Sequence, residues 1–186
     1  MKYQHKKIIP LITSLLSVIG EDIHREGLRK TPHRVAKSFE KLFGGYNEDP
    51  KKIITVFHNE GYNEMVVAHD IDFYSLCEHH ILPFYGRAYI GYIPDTHIIG
   101  ISKLPRLVDL FARRLQNQER LTRQIATTLA TTLKPKGVGV VIKAEHLCIK
   151  LRGVEKQNCM VSTSSFTGLF KEDARTRDEF LHLIKK

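Results

Sequence analysis

The sequence predicts an α+β domain, an antiparallel sheet backed by helices and preceded by a helical N-terminal segment. Two observations carry this. Apolar residues recur at three- and four-residue spacing over residues 6–19, 31–43, 102–116 and 119–133, whereas residues 64–77, 85–101 and 137–168 are rich in β-branched and aromatic residues. Strands and helices are also grouped along the chain and do not strictly alternate, which favours an antiparallel sheet over parallel βαβ units. A length of 186 residues suits one domain with a real core. Residues 1–50 are read as the helical segment and 51–186 as the sheet domain, together one structural unit.

The elements follow in order. In the first helix Ile8, Ile9, Leu11, Ile12, Leu15, Leu16 and Ile19 form the apolar positions, with Thr13, Ser14 and Ser17 between them. The same stretch follows a basic start, as a signal peptide would, but Gly-Glu-Asp replaces a small-residue cleavage site. An amphipathic helix and a cytoplasmic protein are expected. Thr31 caps the second helix, Pro32 occupies its first position, and Gly44-Gly45 ends it. "EMVVAHDIDFYSLC" reads as a strand. "GRAYIGYIP" and "HIIGI" read as a strand pair turning at Pro94-Asp95-Thr96. Two helices follow, with Leu104, Leu107, Val108 and Phe111 on one and Leu121, Ile125, Leu129 and Leu133 on the other, closed by Pro135. "GVGVVIKAEHLCIKLRG" and "CMVSTSSFTGLF" read as strands, and "TRDEFLHLI" as a final short helix. Such a sheet leaves edges exposed, and edges are commonly closed by oligomerisation.

The formal net charge of +9 suits nucleic acid, an anionic membrane surface or a phosphorylated small molecule. No basic arm or nucleic-acid motif is visible, and no stretch approaches the ~20 apolar residues that span a bilayer. Three cysteines do not make a disulfide framework.

The concentrated chemistry lies in "SLCEHHILPF". Cys77 and His80 have a C-x-x-H spacing that brings a thiolate and an imidazole to one ion from a single turn, a pairing typical of zinc. A third ligand must come from Cys148 or Cys159. Cys148 is preferred, because on a strand His146 two residues earlier would face the same side. Three protein ligands with an open position mark a catalytic site. A structural zinc knot, or cysteines that are merely small buried hydrophobes, are the alternatives. His79, beside a metal-bound neighbour, is placed for proton transfer near neutral pH.

Ser102, Lys103 and Arg106 open a helix, where the dipole and free N–H groups favour an anion. Arg152 and the pair Arg34 and Lys37 could add positive charge if the fold converges them. Gln118 and Glu119 lie between the two long helices. A carboxylate there could accept two adjacent N–H donors of a guanine, though spacing alone leaves a solvated turn as the plainer reading.

"CEHHILPFYGRAYIGYIP", "GISKLPRLVDLFARRLQNQERLTRQIA" and "GVGVVIKAEHLCIKLRGV" resemble the signature blocks of the type I GTP cyclohydrolases. "LRKTPHRVAKSF" and "TSSFTGLF…TRDEFL" are similar to that family's flanking segments, so the likeness runs from about residue 25 to 184. The resemblance implies conversion of GTP and water to formate and 7,8-dihydroneopterin triphosphate, the first step of pterin and tetrahydrofolate synthesis. It implies zinc on Cys77, His80 and Cys148, with His79 as proton donor to the imidazole ring and His146 and Ser102 in later proton transfers. It further implies Gln118 and Glu119 as guanine readers, and Lys103, Arg106, Arg152, Arg34 and Lys37 as triphosphate cations. The fold implied is the tunnelling fold, a four-stranded antiparallel sheet with two helices on one face. Five sheets close a barrel, two rings make a homodecamer, and the sites lie between subunits. Neither nucleic acid nor membrane is then needed as a partner. Pro105 within the S-K-L-x-R block is tolerable in a first helical turn. No long N-terminal regulatory extension is seen, so feedback control through one is not expected. The competing class, a zinc-stabilised nucleic-acid module, predicts that chelation unfolds the protein.

Overall fold

The computed structural model describes residues 4–185. Helices α1 (His5–Val18) and α2 (Thr31–Leu42) pack on each other at the N-terminus, followed by a short 3₁₀ turn and α3 (Pro50–Ile53). Then come β1 (Val56–His58), β2 (Val66–Cys77), β3 (Pro83–Ile93), β4 (His97–Ile99), α4 (Lys103–Ala112), β5 (Leu115–Gln116) and α5 (Gln118–Leu133). The chain ends through β6 (Gly137–His146), α6 (Leu147–Lys150), β7 (Val161–Gly168), α7 (Leu169–Glu172) and α8 (Ala174–Leu183). Thr31 is the first helical residue of α2 and Lys30 its cap, one position earlier than expected.

The main sheet runs β5-β2-β3-β6-β7. Its four long strands are antiparallel, as expected, and the two residues of β5 add a parallel edge beside the end of β2. Helices α4 and α5 cover one face of it. Leu104, Leu107, Leu121, Ile125 and Leu129 pack there against Phe73, Phe84, Ile90, Val140 and Ile142, all essentially inaccessible to water. At about 1.5–3 kcal/mol for each fully buried side chain, this layer is the main source of stability. On the opposite face Phe170 and Phe180 pack against Tyr89 and Val141. Glycine at 91 and 139 lets those rings approach: a Cβ on Gly139 would lie 2.5 Å from Phe170 and one on Gly91 2.7 Å from Phe180.

Three expectations are corrected. His97–Ile99 does not pair with β3 but with Val56–His58, a strand the sequence did not signal. Both sides of β3 are already taken by β2 and β6, so the Pro94-Asp95-Thr96 turn can only carry the chain out of the sheet. The helix from residue 103 stops at Ala112, because the chain must reach the β2 edge through β5. The strand from residue 137 stops at His146 and becomes a single helical turn, so Cys148 is helical and not on a strand with His146.

The register places chemistry at one end of the sheet. Leu76 pairs with Pro83, and Phe84 pairs with His146. The turn between β2 and β3 and the turn after β6 therefore lie together.

Candidate metal centre and adjoining cleft

The C-E-H-H segment forms one tight turn. Ile81 N–H and His80 N–H donate to Cys77 O at 2.8 and 3.4 Å, and Cys77 N–H donates to Leu82 O at 2.8 Å. Ile81 takes a left-handed φ of 55°, which reverses the chain after one helical turn and starts β3. Cys77 is buried, while the rings of His79 and His80 stay exposed. From the neighbouring turn Cys148 completes a trio. The ligand atoms of Cys77, His80 and Cys148 all lie within 4.8 Å of one another. That is close enough for one ion at bond lengths of about 2.0–2.3 Å, and two sulfurs with an imidazole suit zinc or another thiophilic metal. Burial, and then the Cys77 sulfur, push the Cys148 thiol up. A cation would relieve that mutual repulsion. Cys159 is exposed in the loop before β7, outside the trio.

His79 sits beside the trio, its Nδ1 3.7 Å from Cys77 Sγ, against 4.0 Å for His80 Nδ1. His80 is the histidine whose ring nitrogen reaches both sulfurs. Arg152 Nη1 lies 3.1 Å from His80 Nε2, which places one of the expected cations at the centre itself.

Glu78, to which the sequence reading assigned no role, ties this turn to α5. Its carboxylate accepts from Asn117 Nδ2 at 3.1 Å and pairs with Arg120, and its N–H donates to Gln116 O at 2.9 Å. Asn117 is also the cap of α5, accepting from Arg120 N–H at 2.7 Å. The Arg120 hydrogen bond holds the Glu78 carboxyl below its ordinary value of 4.5. A carboxyl depressed in the folded state stabilises above its unfolded pKa and loses that contribution as pH falls through the folded value. Glu78→Gln should therefore lower the melting temperature at neutral pH and flatten its decline as the pH falls below the ordinary carboxyl value of 4.5. Thermal melts of the chelated protein, free of metal release, check this.

Gln118 and Glu119 are the first residues of α5, not a loop. Gln118 is buried and turned into the protein, whereas Glu119 is exposed. Glu119 lines a cleft of about 490 Å³ with Asn117, Arg120 and Arg123 and the edge residues Thr163, Ser164 and Ser165. His146 is half-buried at the end of β6. Burial lowers its pKa, and the nearby Glu119 charge opposes that shift. One end of the sheet thus gathers Cys77, His79, His80, His146, Cys148 and Arg152, with Gln118 and Glu119 adjoining.

The remaining residues lie elsewhere. Lys103 and Arg106, next to exposed Ser102, line a depression with Lys41, Lys52 and Arg113 and with the carboxylates of Glu48 and Asp109, the latter paired with Arg113. Arg34 and Lys37 line another with Lys30 and His33. Among the described residues, no helix is long and apolar enough to cross a membrane.

Residues 8–185 match the family model described as GTP cyclohydrolase I. GTP cyclohydrolase 1 of Parabacteroides distasonis is 56% identical over 173 residues, covering 92% of this chain and 88% of that one. The Porphyromonas gingivalis protein of that name is 58% identical over 171 residues, covering 91% and 88%. The one from Leptospira biflexa is 58% identical over 176 residues, covering 94% and 96%. With identity at this level over nearly the whole length, the chain belongs to the GTP cyclohydrolase I family of enzymes.

Proposed function

We propose that the protein is a cytoplasmic, zinc-dependent GTP cyclohydrolase that converts GTP and water to formate and 7,8-dihydroneopterin triphosphate, supplying pterin and tetrahydrofolate synthesis. The observation that carries the reading is the trio of Cys77, His80 and Cys148 within 4.8 Å, with a histidine beside it that is not one of the three. When bound, the ion supplies Lewis-acid activation of water for hydrolysis at C8 of the base.

The chain's own groups do the rest. His79 donates a proton to the imidazole ring as it opens. Glu119, exposed in the first turn of α5, accepts the N1–H and 2-amino hydrogens of guanine, a paired contact that selects this base. His146 moves protons in the ribose rearrangement and ring closure; Ser102, which lies beside Lys103 and Arg106 and away from His146 of the same chain, would assist it from a neighbouring subunit. Arg152 meets the phosphates at the metal centre. Lys103 and Arg106, with Arg34 and Lys37, lie in separate depressions of one chain, which is the arrangement expected if a pocket is completed by a neighbouring subunit. Edge-to-edge joining of sheets through β7 into pentamers, paired as a decamer, would bring them to the triphosphate.

Glu119→Gln replaces one acceptor oxygen by a donor amide facing the guanine donors. A charged hydrogen bond is worth about 1.5–3 kcal/mol. The expected result is a loss of roughly 10- to 150-fold in kcat/KM for GTP. Preference for GTP over inosine triphosphate, which lacks the 2-amino group, should shrink as well. Steady-state kinetics with both nucleotides check it, and an unchanged preference would remove Glu119 from base recognition.

A further inference from the structure

Gln118 is the most fully committed polar side chain near the metal centre. It is 2% exposed, and both ends of its amide have partners inside the chain. Nε2 donates to Ile142 O and to Val161 O at 3.0 Å each, and lies 3.1 Å from Thr163 Oγ1. Oε1 lies 2.8 Å from His146 Nε2. Main-chain carbonyl oxygens can only accept, so the nitrogen end of the amide must face them and Oε1 must face the histidine. An amide oxygen also only accepts. Nε2 of His146 therefore carries a hydrogen.

The surrounding hydroxyls run in a consistent direction. Thr122 Oγ1 donates to the main-chain oxygen of Gln118 at 2.7 Å, which leaves Thr163 Oγ1 to donate to Thr122 Oγ1, also at 2.7 Å. The ring of Phe84 stacks on that of His146 with centroids 4.7 Å apart and planes 4° from parallel, and so sets its plane. Position, plane and hydrogen of the imidazole are all set from within one chain.

We propose that Gln118 is a positioning residue: it keeps a hydrogen on His146 Nε2, so that Nδ1 is the one ring atom through which His146 exchanges protons with substrate. The base is then read by Glu119 alone and not, as the resemblance implies, by the Gln118 amide as well. The role of His146 in the reaction rests on the cyclohydrolase reading above; the tautomer rests on hydrogen-bond direction alone.

Neutron diffraction from crystals of the deuterium-exchanged, full-length protein near pH 8 tests the tautomer directly. Deuterium on Nε2, directed at Gln118 Oε1, is expected whether or not Nδ1 is also occupied; a bare Nε2 facing Gln118 Oε1 would overturn the proposal. The kinetic counterpart is Gln118→Met, which keeps the length of the side chain and removes its polar atoms. Dihydropterin formation from GTP should fall at least ~10-fold, the scale for losing a partner that orients a functional histidine. KM for GTP and the preference over inosine triphosphate should stay within about 3-fold, because on this assignment the amide does not touch the base. A ten-fold or larger rise in KM together with a collapsed preference would instead make Gln118 a reader of guanine. If the unmodified protein releases no formate from GTP, the cyclohydrolase reading fails by itself. The deuterium position, which requires neither substrate nor a folded variant, still decides the assignment of Gln118.

Discussion

Cys148→Ser is expected to abolish turnover while leaving the protein folded. A serine hydroxyl is not deprotonated near neutral pH and makes a poor ligand for a thiophilic ion, so the variant keeps only Cys77 and His80. Losing an outer-shell partner of a metal ligand costs about 10–100-fold, and removal of a ligand itself should exceed that. Metal content should fall well below one per chain, and formate release from GTP should drop more than about 100-fold. Cys148 sits half-buried at the margin of the core, and the layer between the sheet and helices α4 and α5 does not depend on it. The fold and its secondary structure should survive, as circular dichroism would show. Cys159→Ser is the matched control, exposed and outside the trio, and should retain both metal and activity. Full metal and activity in Cys148→Ser would show that the centre has been assigned to the wrong sulfur.

His79→Ala should separate metal binding from catalysis. The two adjacent histidines lie at similar distances from Cys77 Sγ, 3.7 Å for His79 and 4.0 Å for His80. Only His80 belongs to the group whose ligand atoms all converge. His79→Ala is therefore expected to keep about one metal per chain and to lose roughly 10²- to 10⁴-fold in turnover, the usual worth of a positioned acid–base group. His80→Ala should lose the metal as well. Metal analysis alongside GTP turnover reads both effects. Normal turnover in His79→Ala would remove it from the mechanism, and loss of metal in that variant would exchange the roles of the two residues.

Much of the fold was legible because long periodic segments announce themselves. The spacing of Leu104, Leu107 and Phe111, and of Leu121, Ile125 and Leu129, marked the two helices that cover the sheet, and all six residues are buried there. The β-branched and aromatic run into Cys77 marked the long strand β2. What stayed hidden was short or depended on partners. Val56–His58 is a three-residue strand with no period to detect, and it pairs with His97–Ile99, 39 to 43 residues on, in a two-stranded sheet of their own. Leu147–Lys150 continues the apolar character of β6, and nothing local signals the switch to a helical turn.

The candidate site was legible at the level of residue types, since C-x-x-H with a distant cysteine has few other uses. Cys148, and not Cys159, lies in the cluster, although a shared strand with His146 is not what puts it there. It reaches Cys77 from a helical turn that the register of β3 and β6 brings beside the C-E-H-H segment. The work of Glu78 was not visible, because its partners Asn117 and Arg120 are 39 and 42 residues away in sequence. Nor was the orientation of Gln118, which is set by carbonyl oxygens of β6 and β7 and not by its neighbours along the chain.

The most direct test of the central claim is incubation of the purified, zinc-loaded protein with GTP, following formate release and the dihydropterin chromophore together, with and without chelator. Both products are expected, and both should disappear on chelation while the protein stays folded. Neither product from the folded, zinc-containing protein, or the same yield of both after complete removal of the metal, would contradict the assignment.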